Sequence, residues 1–208
     1  MNQAAVRYRY NEQPSRGLAV AGMLFFLPKA ILLIPHAIIL SVLGWLASIV
    51  AWIGFWIVAF TGRMPEGISS LLDMDLRWVT RTTGWFAGIT DAYPPFETDP
   101  AGYAFDATTP QNENPSRGWA VAGITWVVKS LALFPHFIML FILYIGVIFG
   151  VWFGFVQAAF TGRLSTAIQD YVAGTAQWYL RVMAWFYGLT DEYPPFSMQI
   201  GPEALPTV

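Results

Sequence analysis

Gly17–Phe60 runs GLAVAGMLFFLPKAILLIPHAIILSVLGWLASIVAWIGFWIVAF. Its 44 residues carry one charged side chain, Lys29, and one histidine, His36. A single straight helix of that length would extend ~66 Å at 1.5 Å per residue, about twice the ~30 Å of a bilayer's hydrocarbon core. The stretch therefore suits two crossings better than one. Pro35 is the natural break, because a proline inside a helix removes a backbone donor and clashes with the preceding turn. Two helices are expected, over 17–34 and 36–60.

The surrounding composition agrees with a membrane setting. Charged residues make up 12% of the 208-residue chain, aromatic residues 17%, and mean hydropathy is +0.49. A soluble domain usually has about 25% charged residues. A formal charge of −2 argues against nucleic acid as a partner, which requires a basic stripe. The absence of cysteine excludes disulfides, thiolate metal sites and cysteine nucleophiles. No cleavable leader is expected, since residues 1–16 are polar and no small-residue cleavage site follows a short apolar core.

The chain repeats itself. Pro14-Ser15-Arg16-Gly17 recurs as Pro115-Ser116-Arg117-Gly118, Lys29 as Lys129, and Pro35-His36 as Pro135-His136. Phe60-Thr61-Gly62-Arg63 recurs as Phe160-Thr161-Gly162-Arg163. Trp78, Arg81 and Trp85 match Trp178, Arg181 and Trp185, and Thr90-Asp91-x-Tyr93-Pro94-Pro95-Phe96 matches the run from Thr190 to Phe196. From residue 29 to residue 96, 27 of 68 aligned pairs are identical, which establishes a tandem duplication.

The expected organisation follows. An N-terminal segment, 1–16, precedes a first repeat, 17–96, with helices over 17–34, 36–60 and 66–89. A polar linker, 97–113, leads to a second repeat, 114–196, with helices over 118–134, 136–160 and 166–189. A tail, 197–208, closes the chain. The fold class is an all-α integral membrane protein of two repeats, each a transmembrane hairpin followed by an amphipathic interfacial helix.

Ser15 and Ser116 fit helix N-caps, and Gly62 and Gly162 fit the left-handed position past a helix end. Asp73 precedes Arg77 by four residues, the favourable order on a helix. Arginines flank the apolar stretch in both repeats, so parallel repeats with an even number of crossings and cytoplasmic termini are expected. That makes four crossings in a prokaryotic inner membrane; the alternative is one crossing per repeat, with the first helix lying in the interface.

These motifs carry a resemblance. Pro35-His36, Thr61-Gly62-Arg63, Arg77-Trp78 and the Thr90–Phe96 run are similar to the prokaryotic membrane family called domain of unknown function 4389. The second copy departs by having Gln177 before Trp178. The resemblance implies an integral membrane protein and carries no catalytic residue with it.

Chemistry-bearing residues are few. His36 and His136 could ligate a haem or a chlorophyll-type pigment through imidazole. The plainer expectation is a hydrogen bond beside a helix-opening proline and no cofactor. Lys29 and Lys129 are expected to snorkel to headgroups. Arg63, Arg163, Trp78, Trp178, Tyr93 and Tyr193 are expected at the lipid interface. Neither a nucleophile elbow, nor a zinc-protease motif, nor a phosphate loop is present. The sequence thus points to a non-enzymatic accessory subunit of a larger membrane complex, whose partners are the bilayer and another membrane protein. A cofactor, pigment or lipid binder is the second reading, and a small transporter or channel the third.

Overall fold

The computed structural model describes residues 4–98 and 102–200. Among them are seven helices and two short strands. The expected tail, 197–208, lies within the described residues only as far as Ile200.

Strand β1 (Ala5–Tyr8) opens the chain. The first repeat then runs α1 (Arg16–Met23), α2 (Leu27–Leu32), α3 (Ile34–Thr61) and α4 (Glu66–Phe86). Strand β2 (Phe105–Thr108) leads to the second repeat, α5 (Arg117–Ile124), α6 (Val127–Thr161) and α7 (Thr166–Tyr187).

The expected helix over 17–34 is not one helix. It turns sharply at Phe25 and Phe26, whose φ angles are 51° and 62°, and its counterpart turns at Trp126, φ 59°. Positive φ costs a bulky residue about 1–3 kcal/mol, and aromatic packing offsets that cost. Phe26 stacks on Phe86 at 5.4 Å and meets Phe155 edge-on; Trp126 lies 4.7 Å from Phe186 and meets Phe55 edge-on. Helices α1 and α5, of eight residues each, extend only ~12 Å, so neither can cross a bilayer.

Pro35 marks a break, at Leu33 between α2 and α3, but it does not separate two helices each long enough to cross a membrane. It lies in the first turn of α3, where a missing N–H is harmless. Pro135 lies inside α6, which continues through it. Among the described residues, two helices are therefore long and apolar enough to cross a membrane, α3 and α6, one in each repeat. Gly62 and Gly162 end them in the left-handed conformation, as expected.

The helices over 66–89 and 166–189 form as α4 and α7, and both are largely enclosed by the rest of the fold. Ser69, Asp75, Thr80, Arg81 and Gln177 are buried with Leu72, Leu76, Val172 and Leu180. These two helices form the centre of the molecule. Each long helix packs beside the last helix of its own repeat, α3 on α4 and α6 on α7. The short helices are exchanged, so that α1 packs on α6 and α5 packs on α3.

The segments expected as a bare N-terminus and a bare linker pair as an antiparallel ribbon, with Val6 opposite Ala107 and Arg7 opposite Asp106. The ribbon covers α4 and α7. Phe105 fills the space that Gly84 leaves on α4, where an added Cβ would stand 2.5 Å from the ring.

Candidate functional site

The duplicated motifs converge on two equivalent clusters. In the first, His36 is 1% exposed and its Nδ1 accepts a hydrogen bond from Trp78 Nε1 at 3.0 Å. In the second, Trp178 Nε1 donates to His136 Nδ1 at 2.9 Å. An accepting Nδ1 assigns the neutral ring's proton to Nε2. That atom is buried in both rings and meets no partner within hydrogen-bond geometry.

The Tyr-Pro-Pro-Phe tail roofs each imidazole. Phe96 stacks on His36 at 4.1 Å with ring planes 8° apart, and Phe196 stacks on His136 at 3.9 Å. Tyr93 donates its hydroxyl to the Leu32 carbonyl at 2.7 Å, in the turn where Pro35 has no N–H to offer. Tyr193 does the same to Ala132 at 2.6 Å. Arg81 fastens the chain beyond Phe96 through the carbonyls of Glu97 and Thr98. Arg181 holds Ser197 and Gln199 in the same way. Trp78 and Trp178 are thus buried partners of histidine rather than interfacial anchors, whereas Tyr93 and Tyr193 keep part of their rings exposed.

Lys29 and Lys129 do not snorkel. Each is 1% exposed. Lys29 Nζ donates to the Trp85 carbonyl at 2.5 Å, and Lys129 Nζ to the Trp185 carbonyl at 2.8 Å. The carbonyls in the last turn of a helix have no donor within that helix, so each lysine supplies a positive cap at the favourable end of the dipole. The ammonium of Lys29 also lies 4.5 Å from the Trp85 ring and 4.6 Å from Phe155 of the other repeat. Lys129 has the same relation to Trp185 and Phe55.

Phe55 and Phe155 are therefore reciprocal knobs. Around Phe55 stand Gly123, Gly188 and Lys129; around Phe155 stand Gly22, Gly88 and Lys29. Trp52 and Trp152 bind the exchanged helices by donating to the carbonyls of Ile124 and Met23. Asp91 and Asp191 accept from the backbone N–H of Ser15 and Ser116, the residues that cap α1 and α5. Arg16 and Arg117 close over Gly162 and Gly62 at the ends of the long helices. Arg63 and Arg163 remain exposed beside those ends.

Two buried groups break the symmetry. Gln177 stands where the first repeat has Arg77. Its amide accepts from Val6 N and donates to the Ala4 carbonyl, so it pairs with the ribbon as a strand would. Arg77 instead binds Asp106 at 2.9 Å and Asp73 at 3.8 Å. Asp75 is 4% exposed, and its Oδ1 has no hydrogen-bond partner. Burial pushes its carboxyl up to about 6, against a weak hydrogen bond from the Tyr187 hydroxyl. Among the described residues no group of three or more metal-ligating side chains comes together.

Every repeated polar motif thus has a place in one of two equivalent architectures, and those motifs match one family model twice, over residues 25–97 and 121–198. The chain belongs to the family described as Domain of unknown function (DUF4389). No curated protein and no solved structure matches it. Within this DUF4389 pair, the histidine signature, the Trp-x-x-Arg signature and the aromatic tail hold one another in place. Sequence reasoning missed Phe55, Phe155, Asp91 and Asp191, although all four are repeated; it missed Asp75, which is not.

Proposed function

We propose that this protein is a non-catalytic membrane protein that serves as an accessory subunit of a larger assembly in a prokaryotic inner membrane. One observation carries the reading. The repeated histidines, lysines and aspartates and the Trp-x-x-Arg pairs are engaged inside the fold, while α3 and α6 leave broad apolar faces uncovered. Ile38, Val42 and Trp45 are exposed on α3, as are Phe141, Phe149 and Phe153 on α6. Contiguous apolar surface beyond a few hundred Å² marks a membrane or protein contact. The ribbon carries Arg7 and Asp106, is followed directly by Arg9, and belongs on an aqueous side; the basic residues favour the cytoplasm.

The second reading is a cofactor or pigment site at His36 and His136. The orphaned Nε2 atoms favour it. The tryptophan hydrogen bonds argue against it, because an Nδ1 that accepts from indole leaves the proton on Nε2, where a ligating nitrogen has to offer a free lone pair.

The experiment is isolation in mild detergent followed by identification of co-purifying chains and a visible absorption spectrum. A stoichiometric membrane partner and a colourless chain are expected. A monomer with a bound chromophore that is lost from His36→Ala and His136→Ala variants would replace the accessory reading with the cofactor one. Cysteine labelling tests the embedding: Gly44→Cys is expected to be protected in membranes, and Gln111→Cys to label from the cytoplasmic side.

A further inference from the structure

A polar cavity of about 350 Å³ lies between the ribbon and the first half of α4, lined by Arg7, Ser69, Ser70, Asp73, Arg77 and Thr109. Ser69, Gln111 and Leu189 also line an adjoining cavity of about 260 Å³ that reaches Arg63, at the end of α3. Neither cavity belongs to the histidine or lysine clusters.

The other repeat explains why the space exists. Asn11-Glu12-x-Pro14 aligns with Asn112-Glu113-x-Pro115, so Thr109 and Gln111 hold the places of Tyr8 and Tyr10. Ser69 and Ser70 hold the places of Gln169 and Asp170. In the second half, Tyr8 and Tyr10 both donate to Asp170 Oδ1, at 2.5 Å and 2.7 Å, and Gln169 accepts from Asn11 N at 2.8 Å. Four large side chains fill that side. Their four smaller counterparts leave the first half open.

The lining chemistry narrows what could enter. Asp106, opposite Arg7 in the ribbon, is bound by Arg77, and Asp73 is held by Arg77 and by the Thr109 hydroxyl at 2.7 Å. Two arginines, Arg7 and Arg77, stand here with two aspartates, and both carboxylates pair with Arg77, so among the described residues Arg7 is the cavity's guanidinium without an ion pair of its own. Guanidinium matches phosphate geometry through paired N–H donors. Around it stand Ser70, Gln111 and the remaining acceptor capacity of Asp73, which suit hydroxyl groups. The volume is at the small end of ligand pockets.

We infer that this cavity binds a phosphorylated glycerol unit, its phosphate on Arg7 and its hydroxyls toward Ser70 and Asp73. The same unit occurs as free glycerol 3-phosphate and as the headgroup of phosphatidylglycerol; the second source would approach past Arg63. The inference stands on the cavity and does not require the accessory-subunit reading.

The test uses the full chain in detergent and in vesicles. Calorimetry with glycerol 3-phosphate reads the free compound. Flotation with phosphatidylglycerol vesicles against phosphatidylcholine vesicles reads the headgroup. Saturable binding in the first assay assigns the free compound, and a vesicle preference without it assigns the lipid. Either signal is expected to fall at least tenfold in Arg7→Gln and to stay unchanged in Arg9→Gln, whose exposed arginine lies outside the cavity. A combined Ser70→Asp, Thr109→Tyr, Gln111→Tyr variant rebuilds the filled arrangement of the other half and is expected to fold and not bind. Absence of both signals in the unaltered chain, or undiminished binding by the folded filled variant, would overturn the proposal.

Discussion

The ring of Phe55 occupies the space beside Gly123 so closely that a Cβ on the glycine would stand 2.7 Å from it. Phe155 has the same relation to Gly22, at 2.2 Å. These pairs join a long helix of one repeat to the exchanged helix of the other. Alanine at either glycine has to push back an enclosed ring, and overpacking of this kind costs about 1–3 kcal/mol. Gly22→Ala and Gly123→Ala are expected to lower thermal stability in detergent, whereas Gly44→Ala, with open space around it, is expected to raise helix propensity and leave stability equal or slightly higher. Equal melting temperatures for all three would show that the repeats are not held by these contacts.

Asp75 makes stability depend on pH in a direction opposite to most surface carboxylates. Burial raises its folded-state value to about 6 from an ordinary 3.8. The folded chain therefore holds the proton more tightly than the unfolded one. The associated stability is fully present below the unfolded value and is lost as pH rises through the folded one. The loss amounts to at most about 3 kcal/mol, at 1.36 kcal/mol per unit. Asp75→Asn is expected to remove this slope between pH 4 and pH 7 and to stabilise the protein at pH 7. Denaturant midpoints at pH 4.5 and pH 7.5 check it; a variant that keeps the slope assigns it to another group.

The sequence made the long helices legible through their apolar run, and the duplication marked nearly every residue of the two clusters. Capping by Ser15 and Ser116 and the left-handed ends at Gly62 and Gly162 followed from local chemistry alone. The break at Phe26 did not, because nothing near it in sequence favours a left-handed turn; its reasons are Phe86 and Phe155, far along the chain. Lys29 was misjudged for the same cause. Its acceptor, the Trp85 carbonyl, is 56 residues away, so a lysine in an apolar run looked bound for the headgroups. The ribbon pairs segments about 100 residues apart over only four residues each, too short for alternation to reveal. The exchange of α1 and α5 leaves no local trace, since a repeated sequence does not say which copy each helix meets.

The histidine clusters predict an asymmetric response to substitution. Trp78→Phe preserves ring packing but removes the N–H that His36 Nδ1 accepts. A buried acceptor without its donor costs about 1–3 kcal/mol. Trp78→Phe and Trp178→Phe are each expected to lose that much, and nitrogen chemical shifts of His36 or His136 are expected to show the proton redistributing between Nδ1 and Nε2. His36→Phe, which removes the acceptor together with its need for a donor, is expected to cost less than Trp78→Phe only if the indole N–H finds another acceptor. Unaltered imidazole shifts in Trp78→Phe would mean that the indole does not set the tautomer.

Lys29 separates a structural cation from a snorkelling one. Lys29→Met keeps the stem length and removes the ammonium. For a lysine reaching toward headgroups, methionine in an apolar setting would be neutral or stabilising. Here it removes the charge-assisted bond to the Trp85 carbonyl, which keeps only the Gly88 N–H at 3.1 Å, and takes the cation from the rings of Trp85 and Phe155. A loss of about 1.5–3 kcal/mol is expected from the hydrogen bond of the charged donor, with a smaller part from the rings. Lys29→Arg is not expected to restore it, since a planar guanidinium does not fit where a compact ammonium is enclosed. Combining Lys29→Met with Phe155→Leu is expected to cost less than the sum of the two alone, by about 0.5–1 kcal/mol of coupling. Additive losses in that double-mutant cycle, measured by unfolding in detergent, would remove Lys29 from the contact between the repeats.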